Sequence, residues 1–207
     1  MAAEATFGFE QSLRRLRAGA GRKERRDKGG GQRGYSSTMA HVLILYATVE
    51  GQTACIAARI AERLEARGHA VDVREAGADN DPAAYDAVIV GASVHYGHHP
   101  AWLRAVLRRH GEALERRPSA FFSVSLSAQE GYATRFLRQA RWRPDEVAVF
   151  AGALKYTRYR WFKRLLVRAF AWMGGHATDT SRDHEYTDWG SVAHFAGAFA
   201  QRLAARA

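Results

Sequence analysis

Residues 41–47 (HVLILYA) form an almost unbroken apolar run with no turn former. Such a run predicts a strand buried on both faces of a parallel sheet. A short polar loop follows at 48–53, and Ala54 to Arg67 then places apolar residues at helical spacing. The alternation continues along the chain. Residues 70–76 (AVDVREA) read as a short strand with one wetter face, and 86–93 (DAVIVGAS) as a second buried strand. Residues 100–116 predict a helix opened by Pro100 at its first turn. Strands at 119–125 (SAFFSVS) and 147–153 (VAVFAGA) flank a short helix at 131–140, and 188–205 predicts a last amphipathic helix. Five strands alternating with helices imply an α/β domain. Its sheet is parallel, with right-handed crossovers and helices on both faces.

In such sheets a ligand lies beyond the carboxyl ends of the strands, near the point where strand order reverses. Three predicted loops reach that end, and they are neighbours if the strand order is 2-1-3-4-5. The first is Thr48-Val49-Glu50-Gly51-Gln52-Thr53, at the start of a helix. Loop amides and hydroxyls there aim donors at one spot, where the helix dipole also favours negative charge. The loop lacks the Gly-Lys-Ser/Thr ending of a nucleoside-triphosphate loop and the three glycines of a dinucleotide fingerprint. The second loop, Ser93-Val94-His95-Tyr96-Gly97, sets an aromatic beside a glycine. That pairing suits a planar ring, which can stack on Tyr96 while Gly97 lets the backbone approach. The third is Ser125-Leu126-Ser127. The plainer alternatives are a helix turn capped by Thr53 and a surface tyrosine packed on the next helix.

Composition narrows the picture. The chain has 207 residues, of which 47% are hydrophobic, enough for one sizeable core. Its single cysteine, Cys55, forbids an internal disulfide and is expected to be a small buried apolar residue of the first helix. The formal charge of +10 points to an anionic partner, whether nucleic acid, anionic lipid or an acidic substrate. Residues 1–38 carry nine Lys or Arg against four Asp or Glu, with little apolar material to build a core. They are expected to be a disordered basic extension, with 39–207 as the folded domain and Met39 as the native start.

The longer motifs are more specific. TVEGQT at 48–53, GASVHYGHH at 91–99, PSAFFSVSL at 118–126, WRPDEVAVFAGALKYTRYRWF at 142–162 and GGHATDTSRDHEYTDW at 174–189 together resemble the menaquinone-dependent protoporphyrinogen IX dehydrogenases. These form a flavodoxin-like family of bacterial haem synthesis. The resemblance runs from about Met39 to the last helix. One departure is His95, which stands where an arginine is expected. The resemblance implies a flavodoxin-like fold and FMN held by the three loops, with its phosphate on Thr48 to Thr53. It also implies protoporphyrinogen IX as reductant and a membrane quinone of the menaquinone type as oxidant.

Arg158 to Met173 (RYRWFKRLLVRAFAWM) adds a partner surface. Helical spacing sets Trp161, Phe162, Leu165, Leu166, Phe170 and Trp172 on one side and Arg160, Lys163, Arg164 and Arg168 towards the other. A basic amphipathic stretch with aromatics suits an anionic membrane surface, and packing on the sheet is the competing reading. Location in the cytoplasm, at the cytoplasmic face of the inner membrane, follows as an expectation. No nucleic-acid motif accompanies the charge, and no carboxylate or cysteine set joins the histidines into a metal site. His95, His98 and His99 are expected to bond the flavin or a propionate, or to lie on the surface. No catalytic acid or base is named, because hydride chemistry belongs to the cofactor. A flavodoxin-type electron carrier and an NAD(P)H:quinone reductase are the alternatives. A phosphoryl-accepting receiver would need acidic residues that Ala47-Thr48 and Gly91-Ala92-Ser93 do not supply.

Overall fold

The computed structural model describes residues 39–154 and 184–206. The expectations for 1–38 and for Arg158 to Met173 fall outside these residues. Strands β1 (His41–Ala47), β2 (Ala70–Glu75), β3 (Ala87–Ser93), β4 (Ser119–Ser125) and β5 (Glu146–Ala151) form one sheet in the order β2-β1-β3-β4-β5. Every neighbouring pair is parallel. The order reverses between β1 and β3, so the carboxyl ends of β1, β3 and β4 lie side by side, as the strand pattern predicts.

Strand periodicity divides the core in two. Val42 and Ile44 of β1, with Phe122 of β4 and Phe150 of β5, face helix α1 (Gln52–Glu65) and helix α5 (Trp189–Arg206). Leu43, Leu45 and Phe121 face the other way, against α2 (Ala101–Arg109), α3 (Gly111–Glu115) and α4 (Glu130–Ala140). Because β1, β3 and β4 are covered on both faces, they read as continuous apolar runs. None of the described helices is long and apolar enough to cross a membrane.

Two predicted elements are divided or cut short, and one residue is less buried than expected. The helix expected over 100–116 is two helices, broken at His110, whose backbone (φ −104°, ψ 15°) leaves the helical region just before Gly111. Gly111 opens the short α3, which turns Leu114 into the core. The fifth strand ends at Ala151 rather than Ala153. Gly152 follows, and Ala153–Leu154 instead pairs antiparallel with His184–Glu185 as a small ribbon, β6 and β7. Cys55 is half-buried rather than fully enclosed.

The amino ends of the strands are closed by aspartates. Asp86, just before β3, accepts the His41 amide at 2.8 Å. Asp145, just before β5, accepts the Ser119 amide at 2.9 Å. Asp72 accepts the Tyr85 hydroxyl at 2.6 Å and the Arg74 guanidinium at 2.8 Å. Burial alone would raise the Asp72 pKa, but these two donors outweigh it and hold the carboxyl below its usual range. Burial and the same carboxylate push the Tyr85 hydroxyl up to about 12. The Arg117 guanidinium closes the adjoining loop by donating to the carbonyls of Tyr85, Ala83 and Ala113.

Candidate flavin site

At the carboxyl end of β1, the loop is set by its own hydroxyl. Thr48 Oγ1 accepts the Gly51 amide at 2.9 Å. Gly51 is left-handed (φ 85°) and is the N-cap of α1, so the chain turns into the helix where only glycine does so without strain. The helix starts at Gln52, two residues before the predicted start. No side chain of the described residues caps it, and no acidic residue occupies its first turn. Its opening amides are therefore left for something else. Thr53 is 1% exposed, and its hydroxyl has no hydrogen-bond partner among the described residues. It is not the cap that a plain strand-to-helix turn would need. Val49 is exposed at the loop tip.

Gln52 is 7% exposed, and its side chain reaches the segment before α5. Its Nε2 donates to Glu185 Oε1 at 2.9 Å and to Thr187 Oγ1 at 3.0 Å. Thr187 in turn donates to the Ala151 carbonyl at 2.8 Å. The sequence motif groups Gln52 with the loop but carries no sign of this long-range tie.

After β3, Tyr96 (φ 49°) and Gly97 (φ 79°) form a two-residue turn. His95 and His98 exchange both backbone hydrogen bonds, at 2.8 and 3.1 Å, across it. Positive φ at both central residues is what a type I′ turn requires, and glycine supplies the second at little cost. The turn lifts Tyr96 into solvent, 69% exposed, with the His95 ring packed edge-on at 4.3 Å. Ser93 also holds a buried hydroxyl with no partner among the described residues. Val94 is tied to β4 through the Val124 carbonyl at 2.7 Å.

After β4, Ser125 Oγ accepts the Gln129 amide at 3.2 Å, closing a turn in which Ala128 is left-handed (φ 49°). The Ser125 carbonyl accepts the Gly152 amide at 2.8 Å, joining this loop to the end of β5. Leu126 is half-buried and Ser127 exposed.

His99 corrects an expectation. It lies neither on the surface nor free for a ligand. The residue is 8% exposed, its ring lies edge-on to Phe121 and Phe136, and its nitrogens reach the Ser93 carbonyl and Ser123 Oγ, both at 3.2 Å. Burial lowers its pKa to about 4, against the bond to Ser93, so the ring is neutral at ordinary pH. His99 is a strut that holds the loop after β3 against β4. Nothing in the run HYGHH separates it from the exposed His98.

The donor set suits a flavin mononucleotide. A helix start uncapped among the described residues and an orphaned buried hydroxyl are donors that a phosphate would satisfy, with no Lys or Arg in any of the three loops. An exposed aromatic on a hairpin tip stands ready for a flat ring. Fold and site together define a flavodoxin-type domain, and a family model described as the flavodoxin domain matches residues 43–181. The protoporphyrinogen IX dehydrogenase (quinone) of Escherichia coli strain K12 is 41% identical over 165 residues, spanning 74% of this chain and 91% of that protein. The protein of the same name from Leishmania major is 38% identical over 171 residues, spanning 76% of this chain and 74% of that protein. The chain belongs to this flavodoxin-like family of quinone-dependent protoporphyrinogen IX dehydrogenases.

Proposed function

We propose that the protein binds FMN at the three carboxyl-end loops and oxidises protoporphyrinogen IX to protoporphyrin IX, passing the electrons to a quinone. The relatives' reaction supports the chemistry. The observation in the fold that carries the cofactor is Thr53, a buried hydroxyl without a partner among the described residues, in the first turn of a helix that none of their side chains caps. Leaving such a group unpaired costs about 1–3 kcal/mol, and a phosphate oxygen would satisfy it.

When bound, FMN supplies the ring that takes hydrogen from one substrate and gives it to the other. The protein's part is to hold and orient. Thr48 fixes the loop, the amides of Gln52 and Thr53 with the Thr53 hydroxyl would hold the phosphate, and Tyr96 would offer its ring to the flavin. His99 fixes the hairpin that carries Tyr96. In a membrane setting the acceptor is of the menaquinone type. The basic and aromatic residues of 158–173 and the net charge of +10 favour an anionic lipid surface. The protein is then a peripheral one, on the cytoplasmic face of the inner membrane.

The deciding experiment is anaerobic turnover of protoporphyrinogen IX by the purified, FMN-reconstituted protein with a menaquinone analogue. Porphyrin fluorescence should rise only when protein, FMN and quinone are all present. Flavin uptake without porphyrin formation would leave an electron carrier and remove the enzyme. Sedimentation with anionic liposomes at low salt tests the membrane surface separately, and protein that stays in the supernatant would exclude it.

A further inference from the structure

The tie made by Gln52 joins parts of the site that are far apart in sequence. Residues 184–187 return the chain from β6 to α5. Their backbone is held by the two-residue pairing of Ala153 with Glu185 and Leu154 with His184, and by the Tyr186 amide on the Gly152 carbonyl at 3.0 Å. Gln52 adds two side-chain bonds from the first turn of α1. Both N–H groups of its amide are used, one on a carboxylate and one on a hydroxyl that itself donates onward to Ala151. The path then continues from Gly152 to the Ser125 carbonyl. The loops after β1 and β4, the end of β5 and the return segment thus form one hydrogen-bonded chain.

We propose that Gln52 is a positioning residue that couples the phosphate loop to segment 184–187, so that FMN binding and the seating of that segment strengthen each other. This rests on the FMN reading above. Gly51 is left-handed and conformationally free, and Thr48 is the loop's own tie to it. A side chain anchored at the very next residue fixes the direction of the first helical amides and of the Thr53 hydroxyl. A phosphate then meets donors already ordered, and the cost of ordering them on binding falls. Linkage makes the effect reciprocal: whatever Gln52 adds to FMN affinity, bound FMN returns to the seating of 184–187. Flavin occupancy would in this way be felt where the chain leaves and re-enters the sheet.

The test uses the full chain and two readouts. FMN dissociation constants, from flavin fluorescence quenching, are measured for wild type, Gln52→Leu, Thr187→Val and the double variant. Gln52→Leu should weaken binding about fivefold or more, the lower end of typical coupling. Thr187→Val should weaken it too, although Thr187 is outside the phosphate loop, and the double variant should be no worse than Gln52→Leu. Hydrogen exchange of the 185–187 amides should slow when FMN is added to wild type and stay unchanged in Gln52→Leu. The wild-type exchange comparison stands even if a variant fails to fold. FMN affinity in Gln52→Leu within about twofold of wild type would overturn the coupling. So would FMN-dependent protection that persists without the glutamine, because Gln52 would then act on the flavin alone. Wild-type protein that takes up no FMN would overturn the cofactor reading itself, and the coupling with it.

Discussion

At the amino ends of the strands, aspartates reach across to neighbouring strands and fill their first amides. At the carboxyl ends, Thr53 and Ser93 bury hydroxyls that bond to nothing among the described residues. Both ends are built from the same strands and similar short loops. The difference is what each end is for. A buried polar group with a partner contributes to folding, whereas one without a partner is a standing cost that a ligand can remove. Three buried groups away from the carboxyl-end loops are exceptions: Trp142 Nε1 just before β5, His110 Nε2 between α2 and α3, and Glu146 at the foot of β5. One Glu146 oxygen is buried without a partner among the described residues, and burial raises the carboxyl's pKa, with Arg202 and His194 opposing.

His99 tests the comparison hardest, because it follows an open-end loop yet behaves like a closed-end residue. Its two hydrogen bonds and two aromatic contacts predict a loss of about 2–4 kcal/mol in His99→Ala, from the cavity and the unpaired Ser93 carbonyl and Ser123 hydroxyl. Denaturant unfolding would measure it. The ring's pKa is about 4 when folded, below the ordinary 6.5 of an unfolded chain. The unfolded state therefore binds the proton more readily. This contribution is full above about pH 6.5 and is lost as pH falls from there towards 4. Wild type should lose stability in that window, and His99→Leu should lose less. A parallel pH dependence in the two proteins would assign the effect elsewhere.

Thr53 should behave in the opposite way. Thr53→Val keeps the shape and removes an unpaired hydroxyl, so the flavin-free protein should gain up to about 1 kcal/mol. FMN affinity should fall by about 1.5–3 kcal/mol, the value of a hydrogen bond to a charged group. Stability and affinity moving together would place Thr53 among the folding residues and erase the contrast.

Asp72 supplies the matching control at the closed end. Asp72→Ala strands the Tyr85 hydroxyl and the Arg74 guanidinium, for a predicted loss of about 1–3 kcal/mol in stability. FMN affinity should not change. A shift in flavin binding with this variant would show that the two ends communicate through the sheet.

Much of this was legible in the sequence because parallel strands buried on both faces write themselves as apolar runs. The strand order and the three convergent loops follow from that pattern and from the TVEGQT and HYGHH stretches. What could not be read depends on tertiary distance. Gln52 finds Glu185 and Thr187 more than a hundred residues away, and His99 finds Ser123 on a neighbouring strand. Local patterns carry no sign of either. The break at His110 falls within an otherwise helical window, and β5 ends where its partner β4 ends, at the Ser125–Ala151 pair.

Tyr96 offers the smallest effect and the finest version of the contrast. Its φ of 49° is a conformation that a tyrosine adopts only under strain, and its ring is mostly in water. The fold gains little from the side chain, so Tyr96→Gly should leave stability unchanged or raise it by about 0.5 kcal/mol, as the strained turn relaxes while the unfolded chain gains freedom. A flavin ring stacked on Tyr96 would lose about 0.5–1.5 kcal/mol of binding in the same variant. Tyr96→Phe keeps the face of the ring and should keep the affinity. The pair separates stacking from turn geometry, since glycine improves the turn and removes the ring, whereas phenylalanine leaves both unchanged. Tighter FMN binding in Tyr96→Gly would mean that the hairpin's conformation, and not the tyrosine ring, is what the flavin reads.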